Sequence, residues 1–394
     1  MNETLFANLQ NFRASLNASF LERSVVIDGL LASLITKQNA FLFGRPGTGK
    51  SELVRAVAKG FTGCSFFGYL LSPTTDPSEL FGPVAVSKLL KDEYTRDVEG
   101  YLPTSNIAFL DELFRGSSAV LNSLLTILNE RTFNNGKDVI ETPIQSIVAA
   151  TNSFPQEESL QAFCDRFLFR PTVESLLKPV SKRILDQWTF GIQKRPAVES
   201  DLKFEDLLQL QKDVNEIKVD EEFLDRFNQV IDLLSARGVS ISDRRRVQIL
   251  RFMRGWALVQ GDDCLYAEHL HRPFPHIVYQ NKEDIRAIKE VLMQAIPTAE
   301  RQMEEIRKAQ NAIMTDYHGV FTKTSKTVSE LSSTVEKLKR HHKDLSTLAN
   351  KLDEILDGGS YRVTAAARKE ATKVSQLIDQ SKQLVAKSIS DITS

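Results

Sequence analysis

Gly44-Arg45-Pro46-Gly47-Thr48-Gly49-Lys50-Ser51 decides how this chain is read. An apolar run, Ala40-Phe41-Leu42-Phe43, precedes it and reads as a buried strand. The stretch from Glu52 to Phe61 follows it, with Leu53, Val54, Val57 and Ala58 at helical spacing. Strand, glycine-rich turn, helix is the setting a phosphate-binding loop requires, and every fixed position of G-x-x-x-x-G-K-[ST] is filled. The glycines let the backbone curl so that several N–H groups face one anion, and the helix adds the positive end of its dipole. Lys50 is placed to reach the β- and γ-phosphates and Ser51 to put a hydroxyl on Mg²⁺. Gly44 through Ser51, with Glu52 beside them, are the candidate nucleotide-binding residues, and ATP and Mg²⁺ the expected cofactors.

Working outward, Ile107-Ala108-Phe109-Leu110-Asp111-Glu112 is the second anchor. Four apolar residues predict a strand buried on both faces, and two carboxylates stand at its carboxyl end, where open α/β sheets bind ligands. About 60 residues after a phosphate loop, such a run can lie beside the first strand. Asp111 is then placed to hold the Mg²⁺ shell, and Glu112 to polarise a water for attack on the γ-phosphate. Ser146 to Asn152 is another buried strand. Asn152 is either a ligand for the attacking water or an ordinary turn residue after a strand.

The segments between these anchors carry weaker signals. Met1 to Phe20 and Glu22 to Ile35 predict helices. Val25 and Val26, just before the phosphate loop, are candidate adenine contacts, with plain core packing as the alternative. Cys64 to Leu70 reads as a strand, and Asp76-Pro77 as a helix start. Residues 83–103 read as an excursion from the core. Residues 117–129 predict an amphipathic helix, and Thr132 to Ile140 a β-hairpin turning at Asn135-Gly136. Arg166 or Arg170 could reach a neighbouring subunit's phosphate as an arginine finger, or form a surface salt bridge.

Composition sets outer bounds. The chain has 394 residues, too many for one ordinary core, with 42% apolar and 26% charged residues. A net charge of -1 gives no bulk attraction to nucleic acid or anionic membrane. No apolar run is long enough to cross a bilayer, and the N-terminus lacks the regions of a secretory signal. Cys64, Cys164 and Cys264 form no C-x-x-C pair, so free thiols in the cytoplasm are expected.

With these pieces in order, about the first 260 residues resemble an AAA+ ATPase of the MoxR family, the RavA branch most nearly. The matching residues are Gly44 to Ser51 as Walker A, Ile107 to Glu112 as Walker B, and Leu124 to Arg131 and Ala149 to Asn152 as later motifs. The resemblance implies Asn152 as sensor 1, Arg166 as the arginine finger with Arg131 a second interface candidate, and two inserts, 83–103 and 132–140, facing the pore of a ring. It also implies a homo-hexamer, remodelling or maturation of a client protein in a chaperone-like way, and a von Willebrand factor A adaptor. By the same match Arg244 is sensor 2, at a helix start in a small helical lid. Arg245 and Arg246 beside it are expected on a solvated basic face.

The expected organisation is a parallel sheet flanked by helices over 1–175, a helical lid over 176–265, a connector over 266–296 and a helical arm over 297–394. In the connector, His271 and His276 lack metal-ligand spacing. In the arm, Leu331, Leu338, Leu345 and Leu352 recur every seven residues, with Val328, Val335, Ala349 and Leu356 at the alternate seam position, interrupted by His342. Asp357-Gly358-Gly359-Ser360 breaks the pattern before a second helix, giving a helical hairpin or a self-associating coiled coil. A scaffold gated by nucleotide and recruiting through this arm is the alternative function. A nucleic-acid motor is disfavoured by the charge balance and the lack of an aromatic-studded basic groove.

Overall fold

The computed structural model describes residues 3–152, 160, 163–176, 197–279 and 284–296, together with the single positions 336, 340, 343, 346 and 347. The chain divides into two compact units, Met1–Leu292 and Met293–Ser394. The helical arm and its heptads lie almost wholly outside the described residues, as does the start of the expected lid over 177–196.

In the first unit α1 (Glu3–Ser19) and α2 (Ser24–Ile35) lead into β1 (Ala40–Phe43) and α3 (Lys50–Lys59). A short β2 (Phe61–Thr62) precedes β3 (Phe66–Leu70), α4 (Pro77–Phe81) and α5 (Val86–Leu89). Then come β4 (Ile107–Asp111), α6 (Ser118–Glu130), the hairpin β5 (Thr132–Asn135) and β6 (Asp138–Glu141), and β7 (Ser146–Thr151). The central sheet runs β1-β7-β4-β3, all parallel. Residues 169–173 add an extended segment on the far side of β1, through parallel bridges at Ala40↔Phe169 and Phe43↔Thr172. β1 and β7 are buried along their whole length and β4 up to Leu110, which is why Ala40–Phe43, Ile107–Leu110 and the centre of β7, 147–150, read as apolar runs. β3, at the edge, is half exposed and starts two residues later than its sequence suggests, because Cys64 closes a turn onto Phe61.

Because the strands are parallel, β1, β4 and β7 all end at one edge of the sheet. The phosphate loop, Asp111 and Asn152 therefore converge there.

The remaining elements are β8 (Leu202–Lys203), α7 (Phe204–Asp213), β9 (Lys218–Val219), α8 (Glu221–Ser235), α9 (Asp243–Gln260), β10 (Cys264–Leu265) and α10 (Asp284–Ala295). α9 lies across α2. They approach so closely at Gly255 that a Cβ there would meet Thr36 Cγ2 at 2.5 Å. Arg13 of α1 grips Asp28 of α2 with Nε and Nη2 at 2.5 and 2.9 Å, and Gln260 of α9 donates to the same carboxylate at 2.6 Å. Asp28 is fully buried, so removing one partner strands the other charge. Asp28→Ala is expected to lower unfolding free energy by about 3–5 kcal/mol, read by urea denaturation. A loss below about 1 kcal/mol would mean the three helices are held by apolar packing alone.

Residues 83–103 are not a bare loop. Val84 and Arg96 pair as an antiparallel bridge around α5, and the buried Asn135 of the hairpin bonds Arg96 N and O at 2.6 and 3.0 Å. The excursion and the hairpin are thus one connected structure. It leaves Val86, Leu90 and Val139 well exposed.

Candidate nucleotide site

The phosphate loop has the backbone its glycines predict. Gly47 and Gly49 have φ of +78° and +80°, in the left-handed region, and a Cβ at either would meet nothing within 4 Å. The strain of a side chain, rather than crowding, is what demands glycine there. Gly49 precedes α3 with no side-chain cap, so the first N–H groups of the helix remain available to an anion. Lys50 is buried, and its Nζ donates to Gly44 O at 2.6 Å and Arg45 O at 3.1 Å. Burial lowers its pKa, opposed by the carboxylates of Asp111 and Glu112.

The strand ends bring the acids alongside. Ser51 Oγ donates to Asp111 Oδ2 at 2.8 Å, and Glu112 N donates to Asp111 Oδ1 at 3.0 Å. Glu112 itself has φ +52° and ψ 43°, a left-handed conformation uncommon for this residue type. Asn152 Nδ2 donates to Glu112 Oε1 in a short contact, and Arg115 Nε lies 3.8 Å from Oε2. The sequence named Lys50, Ser51, Asp111, Glu112 and Asn152 separately, and the fold brings them together. Among the described residues no group of three or more His, Cys, Asp or Glu side chains could hold a metal. Ser51 and Asp111 offer two adjoining oxygens, which fits Mg²⁺ completed by phosphate and water rather than by a protein cage.

Val26 is buried and Val25 half-buried at the first turn of α2. Arg23, just before them, is 9% exposed and donates to Glu174 O at 2.6 Å. The backbone of Val173 in turn abuts Gly44, where a Cβ would meet its carbonyl at 2.3 Å. The start of α2 is therefore pinned beside the phosphate loop through residues 173–174. Nothing in the sequence signalled Arg23, because its partner is a distant backbone carbonyl.

The arginines separate by burial. Arg131 closes α6 at φ +59° and donates from Nη2 to Lys37 O at 3.0 Å and Asn39 Oδ1 at 2.9 Å. Burial pushes its pKa down to about 10. Arg170 is 2% exposed, bonded to Asp165 and to the carbonyls of Ile277 and Tyr279. Both are engaged within their own chain. Arg166 is half-buried and Arg244 exposed. Arg245 is a correction: instead of standing on a solvated face, its side chain is only 14% exposed and its guanidinium bonds Asp165 O and Ile277 O. Arg246 is half-exposed beside Asp243, at 3.7 Å.

A parallel sheet carrying a phosphate loop on β1, an Asp-Glu pair on β4 and an amide after β7 defines a P-loop ATPase fold of the AAA+ kind. Residues 7–212 match the family model described as the MoxR domain in the MoxR-vWA-beta-propeller ternary systems. The chain belongs to this MoxR family of AAA+ ATPases. An uncharacterised protein of Methanocaldococcus jannaschii is 34% identical over 291 residues, covering 72% of this chain and 73% of the relative. A second from the same organism is 35% identical over 259 residues, covering 65% and 67%. Among solved structures, an ATPase candidate from Cytophaga hutchinsonii superposes with TM-score 0.60 at 19% identity, covering 75% of this chain and 96% of that one.

Proposed function

We propose that this protein hydrolyses ATP at the seams of a hexameric ring and uses the energy to remodel or mature a client protein, aided by a von Willebrand factor A adaptor. The observation that carries the reading is the contact set joining Ser51 to Asp111 and Glu112 to Asn152 beside Lys50. Lys50 would leave the loop carbonyls for the β- and γ-phosphate oxygens. Mg²⁺, held by Ser51 and Asp111, would neutralise charge developing on those oxygens. Glu112 and Asn152 would fix one water in line with the γ-phosphate, Glu112 taking its proton. Arg166 of the adjoining protomer and Arg244 in cis would stabilise the γ-phosphate charge. No covalent enzyme intermediate is required.

The adaptor is supported by the name of the matching family model, which couples MoxR with vWA and β-propeller proteins. The RavA-like placement rests on motif spelling alone. A cytoplasmic location is supported by three free cysteines, and no described helix is long and apolar enough to cross a membrane. The boundaries 1–175 for the core, 176–265 for the lid, 266–296 for the connector and 297–394 for a recruiting arm belong to the same proposal.

Sedimentation with saturating ATP analogue, paired with steady-state hydrolysis by Arg166→Ala, tests the shared seam. Expected are nucleotide-dependent rings and at least ~100-fold slower turnover in the variant, with ATP still bound. A strictly monomeric protein that cleaves ATP at full speed without Arg166 would overturn it.

A further inference from the structure

The largely enclosed guanidinium of Arg245, its side chain 14% exposed, sits between two arginines assigned to the chemistry. On one side it is the next residue after Arg244, at the start of α9. On the other its Nη1 donates at 3.0 Å to the carbonyl of Asp165, the residue before Arg166. Its Nη2 donates at 2.7 Å to Ile277 O. Arg170 doubles the joint: Nη1 meets Asp165 Oδ1 at 3.1 Å, Nη2 reaches Ile277 O at 3.3 Å, and its guanidinium lies 4.9 Å over the Tyr279 ring. The Tyr279 hydroxyl donates back to Arg170 O at 2.7 Å.

Bare stability is a poor reason for such a joint. Two guanidiniums are held close together around the one carboxylate of Asp165, at 3.1 and 3.7 Å, and burial and Arg170 push the Arg245 pKa down to about 10 against the pull of that carboxylate. The rigid fork of arginine reaches carbonyls on two separate segments, 165 and 277, from two different nitrogens of one planar group, a span and fixed geometry that a single ammonium nitrogen lacks. The Arg245 fork thereby ties the segment bearing Arg166 to the helix start bearing Arg244, about two turns from the stacking of Phe252 on Phe169.

We propose that Arg245 is a positioning residue that locks the cis sensor Arg244 and the trans finger Arg166 into one moving piece. Resting on the functional reading above, this means a protomer changes its grip on its own nucleotide and on its neighbour's together. Loss of Arg245 therefore damages two sites, the protomer's own and the one it serves.

Mixed rings test this. Wild-type protein is co-assembled with increasing shares of Arg245→Gln, or of Arg245→Lys, which keeps the charge and stem but not the fork. Arg166→Ala and Arg244→Ala provide one-site standards, and the Arg166→Ala/Arg244→Ala double variant the two-site standard. At equal shares each one-site standard retains about half the turnover and the double variant about a quarter, if sites act independently. Arg245→Gln and Arg245→Lys are expected on the two-site curve, with kcat of the pure variants reduced at least ~10-fold while ADP affinity and thermal midpoint stay near wild type. A brace of purely structural role would instead lower the thermal midpoint and leave kcat per folded protomer alone. Either that outcome or a one-site curve overturns the coupling. Should Arg245→Gln fail to fold, Arg245→Lys decides. If Arg166→Ala and Arg244→Ala are themselves harmless, it is the assignment of the two arginines that fails, which the standards report separately.

Discussion

Lys50→Ala is expected to abolish measurable nucleotide binding. Nζ is now spent on two carbonyls of its own loop, at 2.6 and 3.1 Å, and lies within the fields of Asp111 and Glu112. In the complex that ammonium would exchange the two carbonyls for phosphate oxygens carrying full negative charge. Contacts to charged groups contribute about 1.5–3 kcal/mol each, so losing two weakens binding at least ~100-fold. Without the cation, the acids at the end of β4 would also repel the phosphates unopposed. Lys50 is only 7% exposed, so alanine leaves a gap as well as removing a charge. Lys50→Met keeps the stem and separates the effects. Titration with a fluorescent ATP analogue, alongside thermal melting, reads both. Tight binding by a well-folded Lys50→Met protein would mean the phosphates sit elsewhere.

Glu112→Gln is expected to bind ATP normally and hydrolyse it about 10²–10⁴-fold more slowly, the usual range for removing a general base. The substitution is nearly isosteric. Glutamine can still present an oxygen to the Asn152 amide, and Ser51 and Asp111 keep their own bond at 2.8 Å. What disappears is the carboxylate that takes a proton from water. The left-handed backbone at Glu112, φ +52°, aims that side chain off the end of β4 toward Asn152. The conformation costs an equal amount with either residue, so stability is expected to change little. Single-turnover quench-flow separates binding from chemistry, and rapid turnover by this variant would remove Glu112 from the role of base.

Much of the core was legible because its signals are local. A parallel strand buried on both faces must be apolar throughout, and Ala40-Phe41-Leu42-Phe43, Ile107 to Leu110 and Ser146 to Thr151 nearly all are. The hairpin announced itself through Asn135-Gly136, whose glycine takes a φ of +70°. The solvated face expected for Arg245 was misread for the opposite reason. Three consecutive arginines look alike in sequence, and only their partners tell them apart. Arg245 finds Asp165 and Ile277, while Arg244 turns outward. Arg23 and the Arg13–Asp28 pair escaped notice likewise, since a lone charge has no local signature of burial.

By itself, then, the sequence determined the phosphate loop, the strands that carry the acids and the amide, and the family resemblance, because turn chemistry and strand burial are written within a few neighbouring residues. Tertiary structure alone decided which arginines are bonded inside the chain, how α9 is bolted across α2, and that the excursion over 83–103 is tied to the hairpin at Asn135. Those outcomes depend on desolvation and on hydrogen bonds between groups far apart along the chain, such as Gln260 to Asp28.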